Sequence, residues 1–117
     1  MRVLVCGGRD FNKKQFVDDY LDYVRQEYGP IEVLISGQAK GTDELAEAWA
    51  IFNWIPYVGY KADWNTHGRA AGPIRNQQML DEGKPDIVIA FPGGRGTADM
   101  VSRAKKAGVK VIEVIDG

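Results

Sequence analysis

Residues 91–97, Phe-Pro-Gly-Gly-Arg-Gly-Thr, have the composition of a turn that binds an anion. They follow an apolar run that ends at Ala90 and precede a segment of helical periodicity. Glycine lacks the Cβ atom that would keep a ligand away from the backbone, and the first N–H groups of a helix have no partner within the helix. These N–H groups favour an anion, most often a phosphate, at the helix start.

Two further polar turns follow apolar runs, one at residues 7–11 and one at residues 36–41. Arg9 could bind a phosphate through two hydrogen bonds and Asp10 could accept from a ribose hydroxyl, although a salt bridge that fixes the turn is the alternative. Lys40 precedes a predicted helix, where a cation is unfavourable unless an anion lies between them. Asp43, in the first turn of that helix, has either a ligand-binding role or an ordinary role opposite the helix dipole.

Residues 61–76 supply the remaining candidates. Lys61 could meet a phosphate and Trp64 could stack on a base, although Trp64 could equally lie in the core or in a subunit contact. The guanidinium of Arg75 suits a phosphate, with a solvated helix face as the alternative. His67 is the single histidine and has no companion at metal-ligand spacing, so we expect no metal site.

The residues expected to contact a ligand are Gly7, Gly8, Arg9, Asp10, Phe11, Ser36, Gly37, Gln38, Lys40, Gly41, Asp43, Lys61, Asp63, Trp64, Arg75, Asn76, Pro92, Gly93, Gly94, Arg95, Gly96 and Thr97.

Two common phosphate-binding motifs are excluded by spacing. The segment 37–42 is too short for a P-loop, which needs Gly-x-x-x-x-Gly-Lys-Ser/Thr. The dinucleotide fingerprint Gly-x-Gly-x-x-Gly fails because Gly94 and Gly96 are not followed by a third glycine. Ordinary nicotinamide chemistry is therefore not expected, and we expect no cofactor.

The elements that position these turns alternate between strands and helices. Apolar runs predict strands at residues 2–6, 31–35, 55–60, 86–90 and 109–115. Helical spacing predicts helices that follow Asn12 and Thr42 as capping residues, with others at 73–82 and 97–107. Residues 61–72 have no sustained periodicity and predict a long loop.

This alternation predicts an α/β fold, a Rossmann-like three-layer sandwich with a five-stranded parallel sheet in the order 3-2-1-4-5. Pro56 cannot donate to a strand ladder, so the third strand is expected at a sheet edge. The chain reverses direction between strands 1 and 4, and ligands bind beside such a switch point. The turns at residues 7–11 and 91–97 should therefore face each other across one crevice.

Composition indicates one soluble domain over residues 1–117. The net charge of −1 argues against a dedicated nucleic-acid-binding protein, which would carry a basic face. The one cysteine, Cys6, excludes an intramolecular disulfide and is expected to be a core residue. The N-terminus begins directly with a strand pattern and no apolar run is long enough to span a bilayer, so we expect a cytoplasmic protein without a membrane partner.

Taken together, these motifs resemble the SLOG superfamily, and within it the small YspA/cpYpsA-related group (domain of unknown function 2493), often encoded by phages or bacteria. The resemblance covers nearly the whole chain. The matching pieces are residues 6–11, 37–43 with Ala46, Trp49 and Ala50, 61–64, Gly68 with Ala71 and Gly72, Arg75 and Asn76 with Met79, and 91–97.

The resemblance implies a domain that binds nucleotides or nucleotide-derived small molecules. The superfamily includes the LOG phosphoribohydrolases and the DNA-processing protein DprA. Its enzymatic members carry an arginine, matched here by Arg75, and a catalytic glutamate three residues beyond the threonine of the glycine turn. Met100 stands at that glutamate position, and methionine cannot activate water or stabilise an oxocarbenium-like centre. Asp10, Asp43 and Asp63 are the carboxylates that could substitute.

Three functions follow as hypotheses. The first is a module that senses or sequesters a nucleotide-derived ligand in the crevice, without catalysis. The second is a hydrolase that cleaves an N-glycosidic bond of a nucleotide, with Asp10, Asp43 and Arg75 as candidate catalytic residues. The third is DNA binding as in DprA, which the net charge disfavours. Because superfamily members commonly form dimers or tetramers, we also expect a homo-oligomer, with Trp49, Phe52 and Trp54 available for the contact.

Overall fold

The computed structural model describes residues 1–116 and contains one parallel sheet of five strands. The strands are β1 (Arg2–Cys6), β2 (Val33–Ser36), β3 (Tyr57–Gly59), β4 (Ile87–Ala90) and β5 (Lys110–Glu113). Their order is β3-β2-β1-β4-β5, and every neighbouring pair is parallel. The α/β fold and the strand order predicted from the sequence are confirmed.

Residues 1–116 form five α-helices: α1 (Lys14–Tyr28), α2 (Thr42–Phe52), α3 (Trp64–His67), α4 (Ala71–Gly83) and α5 (Arg95–Lys106). All except the short α3 pack on the sheet. Successive side chains of β1 belong to opposite faces of the sheet, and they divide the core into two parts. Val3 and Val5 pack with α1 and α2. Leu4 and Cys6 pack with α4 and α5. In the part of the chain described here, no helix is long and apolar enough to cross a membrane.

The inner strands are predominantly apolar because they are covered on both faces. β1, β2 and β4 contain no exposed residue, whereas all three residues of β3 are exposed. β3 lies at the edge of the sheet, as Pro56 predicted, but it is shorter than the predicted span of residues 55–60. The Pro56 carbonyl oxygen accepts a hydrogen bond from the Leu34 N–H at 2.9 Å, so the residue before β3 still contributes to the ladder.

The prediction of a long loop at residues 61–72 was wrong. This segment contains α3, a 3₁₀ turn (Gly68–Ala70) and the start of α4, which begins at Ala71 instead of Pro73. Asp63 initiates α3 by accepting a hydrogen bond from the Thr66 N–H at 3.1 Å. A helix of four residues is too short to show hydrophobic periodicity, and this is why the sequence pattern missed it.

Both predicted helix caps were also wrong. Lys13, and not Asn12, precedes α1, and it provides no side-chain cap. α2 is capped at Gly41, whose N–H donates to Glu44 at 3.1 Å. Thr42 is already the first helical residue, and its hydroxyl group is used elsewhere.

Candidate functional site

Gly8 joins the three turns that follow β1, β2 and β4. Its N–H donates to the carbonyl oxygen of Pro92 at 2.8 Å. Its carbonyl oxygen accepts from both the N–H and the hydroxyl group of Thr42, at 3.2 and 3.1 Å. Three segments that are distant in sequence are thereby fixed together at the carboxyl edge of the sheet.

Two other glycines allow this close approach. Gly41 has φ of +77°, and a Cβ atom there would overlap Arg9 O and lie 2.5 Å from Gly8 O. A Cβ atom on Gly93 would overlap Thr97 Oγ1 and lie 2.7 Å from Gly8 N. Since real Cβ atoms do not approach backbone atoms so closely, both positions require glycine.

A cavity of about 590 Å³ lies at the carboxyl ends of β1 and β4, between the joined turns. This is the switch point of the sheet, where the chain order reverses. The expected site residues that line it are Gly7, Gly8, Arg9, Asp10, Phe11, Gly37, Asp43, Arg75, Asn76, Pro92, Gly93, Gly94, Arg95, Gly96 and Thr97. Val5, Cys6, Ala39 and Met79 complete the lining.

The start of α5 forms one wall of this cavity. Gly94 is the residue before the helix, and Arg95, Gly96 and Thr97 form its first turn. The N–H groups of a first helical turn have no carbonyl partner within their helix, and the helix dipole adds partial positive charge. Arg9 and Arg75, which carry positive charge, also line the cavity. This wall is therefore suited to an anion.

Arg75 is held in place by neighbouring turns. Its Nη1 donates to the Gly37 carbonyl oxygen at 2.6 Å, and its Nε donates to Asn76 Oδ1 at 3.0 Å. Asn76 in turn donates to the Gly96 carbonyl oxygen at 3.2 Å and to Asp99 at 2.9 Å. Burial lowers the pKa of the Arg75 guanidinium from its ordinary value, while the negative charge of Asp43 opposes that effect.

Asp43 is a buried carboxylate on the cavity wall, with 6% of its surface exposed. Its Oδ2 accepts from the Ala39 N–H at 3.1 Å, whereas Oδ1 has no hydrogen-bond partner within residues 1–116. Burial raises the pKa of Asp43 to about 6, opposed by the Ala39 N–H and by the charge of Arg75. The Gly37 N–H acts in the same direction as Ala39 but lies outside hydrogen-bonding geometry.

The raised pKa of Asp43 predicts that the native protein loses stability as pH rises. Asp43 binds a proton more tightly in the folded than in the unfolded chain, so the cost of ionising it grows between pH 3.8 and about 6 and is complete above that range. Its size is on the order of 2–3 kcal/mol. Chemical denaturation of the wild type and of Asp43→Asn should show the wild type losing this amount relative to the variant over that window. Parallel pH profiles for the two proteins would contradict the raised pKa.

Several expected site residues lie outside the cavity lining, namely Ser36, Gln38, Lys40, Gly41, Lys61, Asp63 and Trp64. The Ser36 hydroxyl group is buried and donates to Glu47, and the Gln38 side chain packs over Gly59 of β3. Lys40 and Lys61 are exposed, Gly41 caps α2, and Asp63 caps α3. The hydrogen bond from Thr66 lowers the pKa of Asp63, consistent with that capping role.

Trp64 contacts the site through Arg9. The guanidinium of Arg9 lies over the Trp64 ring at 5.3 Å from its centroid. The same ring packs close to Gly72, where a Cβ atom would lie 3.3 Å from it. Trp64 therefore supports a cavity residue instead of lining the cavity itself.

Sequence reasoning missed four lining residues: Val5, Cys6, Ala39 and Met79. Val5 and Cys6 are the last residues of β1. Because the last residues of a strand at a switch point border the crevice, their position in the predicted strand could have identified them. Cys6 was expected in the core and does pack there, with burial and the charge of Asp43 raising the pKa of its thiol to about 12. The thiol therefore stays protonated at neutral pH and does not act as a nucleophile.

Comparison with known proteins agrees with this architecture. The model of the YspA, cpYpsA-related SLOG family matches residues 1–67, more than half of the chain. The chain belongs to the YspA, cpYpsA-related SLOG family. The Gene 61 protein of Mycobacterium phage D29 is 38% identical over an alignment of 125 residues, and the match covers 98% of this chain and 97% of the phage protein.

DNA processing protein A (DprA) from Streptococcus pneumoniae has a similar structure, with a TM-score of 0.79 at 19% sequence identity. The similarity covers 99% of this SLOG-family chain but only 50% of the DprA chain. At this level of identity the likeness shows a shared fold.

Met100 and Asp99 of this SLOG-family chain both lie outside the cavity lining. Met100, which the resemblance places at the glutamate position of LOG enzymes, is fully buried in the core with Leu4 and Met79. Asp99 accepts hydrogen bonds from Asn76 and from Arg103, both at 2.9 Å. It therefore links α4 to α5. Within residues 1–116, no group of three or more His, Cys, Asp or Glu side chains is placed to hold a metal ion.

Proposed function

We propose that residues 1–117 form one binding domain that senses or sequesters a nucleotide or a nucleotide-derived small molecule in this cavity. The observation that carries the proposal is that the first turn of α5 lines one cavity together with Arg9 and Arg75. Membership of the SLOG family supports the nucleotide class of the ligand. The cavity volume of about 590 Å³ falls within the usual range for small-molecule sites.

The phosphate of the ligand would bind at the first turn of α5. Gly94 and Gly96 have open space where a Cβ atom would stand, so the backbone there is accessible to an anion. Arg9 would add charge from the opposite turn, and Arg75 would add charge from α4. Backbone N–H groups and two cations together recognise a phosphate without any basic face, which fits the net charge of −1.

The test is a thermal-shift panel of nucleoside monophosphates, ADP-ribose and cyclic dinucleotides at millimolar concentration. A ligand that binds only the native state raises the melting temperature. We expect at least one phosphorylated compound to do so, while the matching nucleoside without phosphate should not. Absence of any shift across the panel would contradict the proposal.

A second candidate function is hydrolysis of an N-glycosidic bond, and Asp43 favours it. A carboxyl group with a pKa of about 6 in a cavity has the protonation behaviour of a general acid. Asp10 lines the same cavity and would be the second carboxylate. Incubation with nucleoside monophosphates and nicotinamide dinucleotides, followed by chromatography for the free base, tests this. Binding without release of base would exclude the enzyme and retain the binding module.

We also propose that the domain forms a homo-oligomer through the end of α2. Phe52 is 84% exposed and Trp54 is 93% exposed, and the open edge strand β3 follows them. Trp49, which the sequence also made available for this contact, is 2% exposed and belongs to the core instead. Large exposed aromatic side chains next to each other are typical of protein contacts.

If the domain is a homo-oligomer, one surface substitution should change its oligomeric state. Trp54→Ser should shift the protein to monomers, because it removes the largest exposed apolar side chain of the patch without touching the core. Light scattering coupled to size-exclusion chromatography measures the mass directly. Tyr23→Ser, at a half-exposed position on α1, is the control and should leave the mass unchanged. A wild type that is monomeric at high concentration would overturn the oligomer.

A further inference from the structure

The side chain of Asn76 connects Arg75 to α5. It is buried, with 3% of the residue's surface exposed. Its Oδ1 accepts from Arg75 Nε at 3.0 Å, and its Nδ2 donates to the Gly96 carbonyl oxygen at 3.2 Å and to Asp99 Oδ2 at 2.9 Å. One amide group therefore contacts both a cation of the cavity and the helix that forms the opposite wall.

The three partners of Asn76 are compatible with only one orientation of its amide group. An arginine nitrogen only donates, whereas a carbonyl oxygen and a carboxylate only accept. If the amide were reversed, its NH₂ group would face the Arg75 guanidinium and its oxygen would face the oxygens of Gly96 and Asp99. Because unpaired buried polar groups are costly, Gly96 and Asp99 together ensure that Asn76 presents an acceptor to Arg75.

This acceptor contributes to the direction of the Arg75 guanidinium. Asn76 holds Nε, and the Gly37 carbonyl oxygen accepts from Nη1 at 2.6 Å. Because a guanidinium is planar, two hydrogen bonds to different nitrogens also fix the direction of its remaining N–H groups. Arg75 lines the cavity, whereas Asp99 lies outside the lining. Asp99 can therefore influence a ligand in the cavity only through other residues.

We propose that Asp99 is a positioning residue: through Asn76 it holds the Arg75 guanidinium in the direction in which Arg75 meets the ligand. The contact between Arg75 and a ligand rests on the proposed function, whereas the connection from Asp99 to Arg75 does not. The two parts are therefore tested separately, the connection without a ligand and its effect on binding with one.

The NMR signal of the Arg75 Nε–H group, assigned by its loss in Arg75→Lys, reports the connection without any ligand. A hydrogen-bonded N–H group exchanges with water more slowly than an unbonded one. We expect slow exchange in the wild type and exchange that is roughly fivefold faster or more in Asp99→Ala. Rapid exchange in the wild type, or unchanged exchange in Asp99→Ala, would overturn the role of Asp99.

Asp99→Asn is the conservative variant and should restore slow exchange. Asn76 and Arg103 both donate to the same oxygen of Asp99, Oδ2, and asparagine can place its own oxygen there. Rapid exchange in a folded Asp99→Asn variant would show that the acceptor oxygen is not what positions Arg75, and it would overturn the proposal. This comparison remains decisive if Asp99→Ala folds poorly.

Arg103→Ala is the matched control. Arg103 donates to Asp99 at 2.9 Å and to Gln77 of α4 at 3.1 Å, so the variant removes a contact between α4 and α5 without touching Asn76. It should keep the slow exchange of Arg75 Nε–H and the wild-type affinity for adenosine monophosphate, whereas Asp99→Ala should bind about tenfold more weakly. Equal losses of affinity in the two variants would overturn the proposal, because contact between the helices would then explain them. Failure of adenosine monophosphate to bind the wild type, with Nε–H exchange as expected, would overturn the proposed function and leave the connection from Asp99 to Arg75 standing.

Discussion

Gly93→Ala is expected to weaken the binding of phosphate compounds by about tenfold or more, because each hydrogen bond to the charged phosphate that the displaced turns lose is worth about 1.5–3 kcal/mol. The added Cβ atom would lie 2.7 Å from Gly8 N and would overlap Thr97 Oγ1. Thr97 can rotate away, but the backbone of Gly8 cannot. The hydrogen bond from Gly8 to Pro92 must then lengthen, and the turns after β1 and β4 separate.

Ser102→Ala is the control for this substitution. It shortens one exposed side chain of α5, outside the cavity lining. Alanine favours the helix, so both the fold and the binding of phosphate compounds should be unchanged. Titration with ribose 5-phosphate should separate the two variants clearly. Equal affinities for the two variants would show that the joined turns do not govern binding.

Met100→Glu is expected to lower the free energy of unfolding by about 3–5 kcal/mol at neutral pH, the usual cost of an uncompensated buried charge. Met100 is fully buried against Leu4, Met79 and Ala104, so a carboxylate there would have no access to water. Its pKa would be raised, and the loss of stability should therefore shrink as pH falls and the glutamate takes up a proton. Denaturation by urea at several pH values measures both effects.

Met100→Leu provides the control and should cost less than about 1.5 kcal/mol, since its volume and polarity are similar. The pair also bears on catalysis. If Met100→Glu were as stable as the wild type and released free base from a nucleotide, the position would face the cavity, and the alternative of a LOG-like hydrolase would gain support. A destabilised, inactive variant is the expected result.

The fold could be predicted from the sequence because its strongest signals are local. The apolar runs within β1, β2 and β4 predict strands buried on both faces, and their alternation with helices predicts a parallel sheet. The switch point then places the turns at residues 7–11 and 91–97 next to each other. The hydrogen bond from Gly8 to Pro92 confirms this proximity.

The details that the sequence could not provide depend on contacts between distant residues. Thr42 is a residue type that often caps helices, but its hydroxyl group donates to the carbonyl oxygen of Gly8, 34 positions earlier in the chain. Trp64 has a side chain on which a nucleotide base could stack, but the guanidinium of Arg9 lies over its ring. The burial of Asp43 Oδ1 without a hydrogen-bond partner could not be predicted from the sequence. A carboxylate in the first turn of a helix is equally typical of a solvated position.

The most direct measurement of the central claim is an NMR titration of the ¹⁵N-labelled protein with adenosine monophosphate. If a phosphate binds at the start of α5, the amide resonances of Gly94, Arg95, Gly96 and Thr97 should shift and saturate, together with those of Gly8 and Arg9 across the cavity. Adenosine without phosphate should leave the α5 amides in place. Absence of saturable shifts at millimolar concentrations of adenosine monophosphate and ribose 5-phosphate, or shifts confined to residues outside the cavity, would contradict the claim.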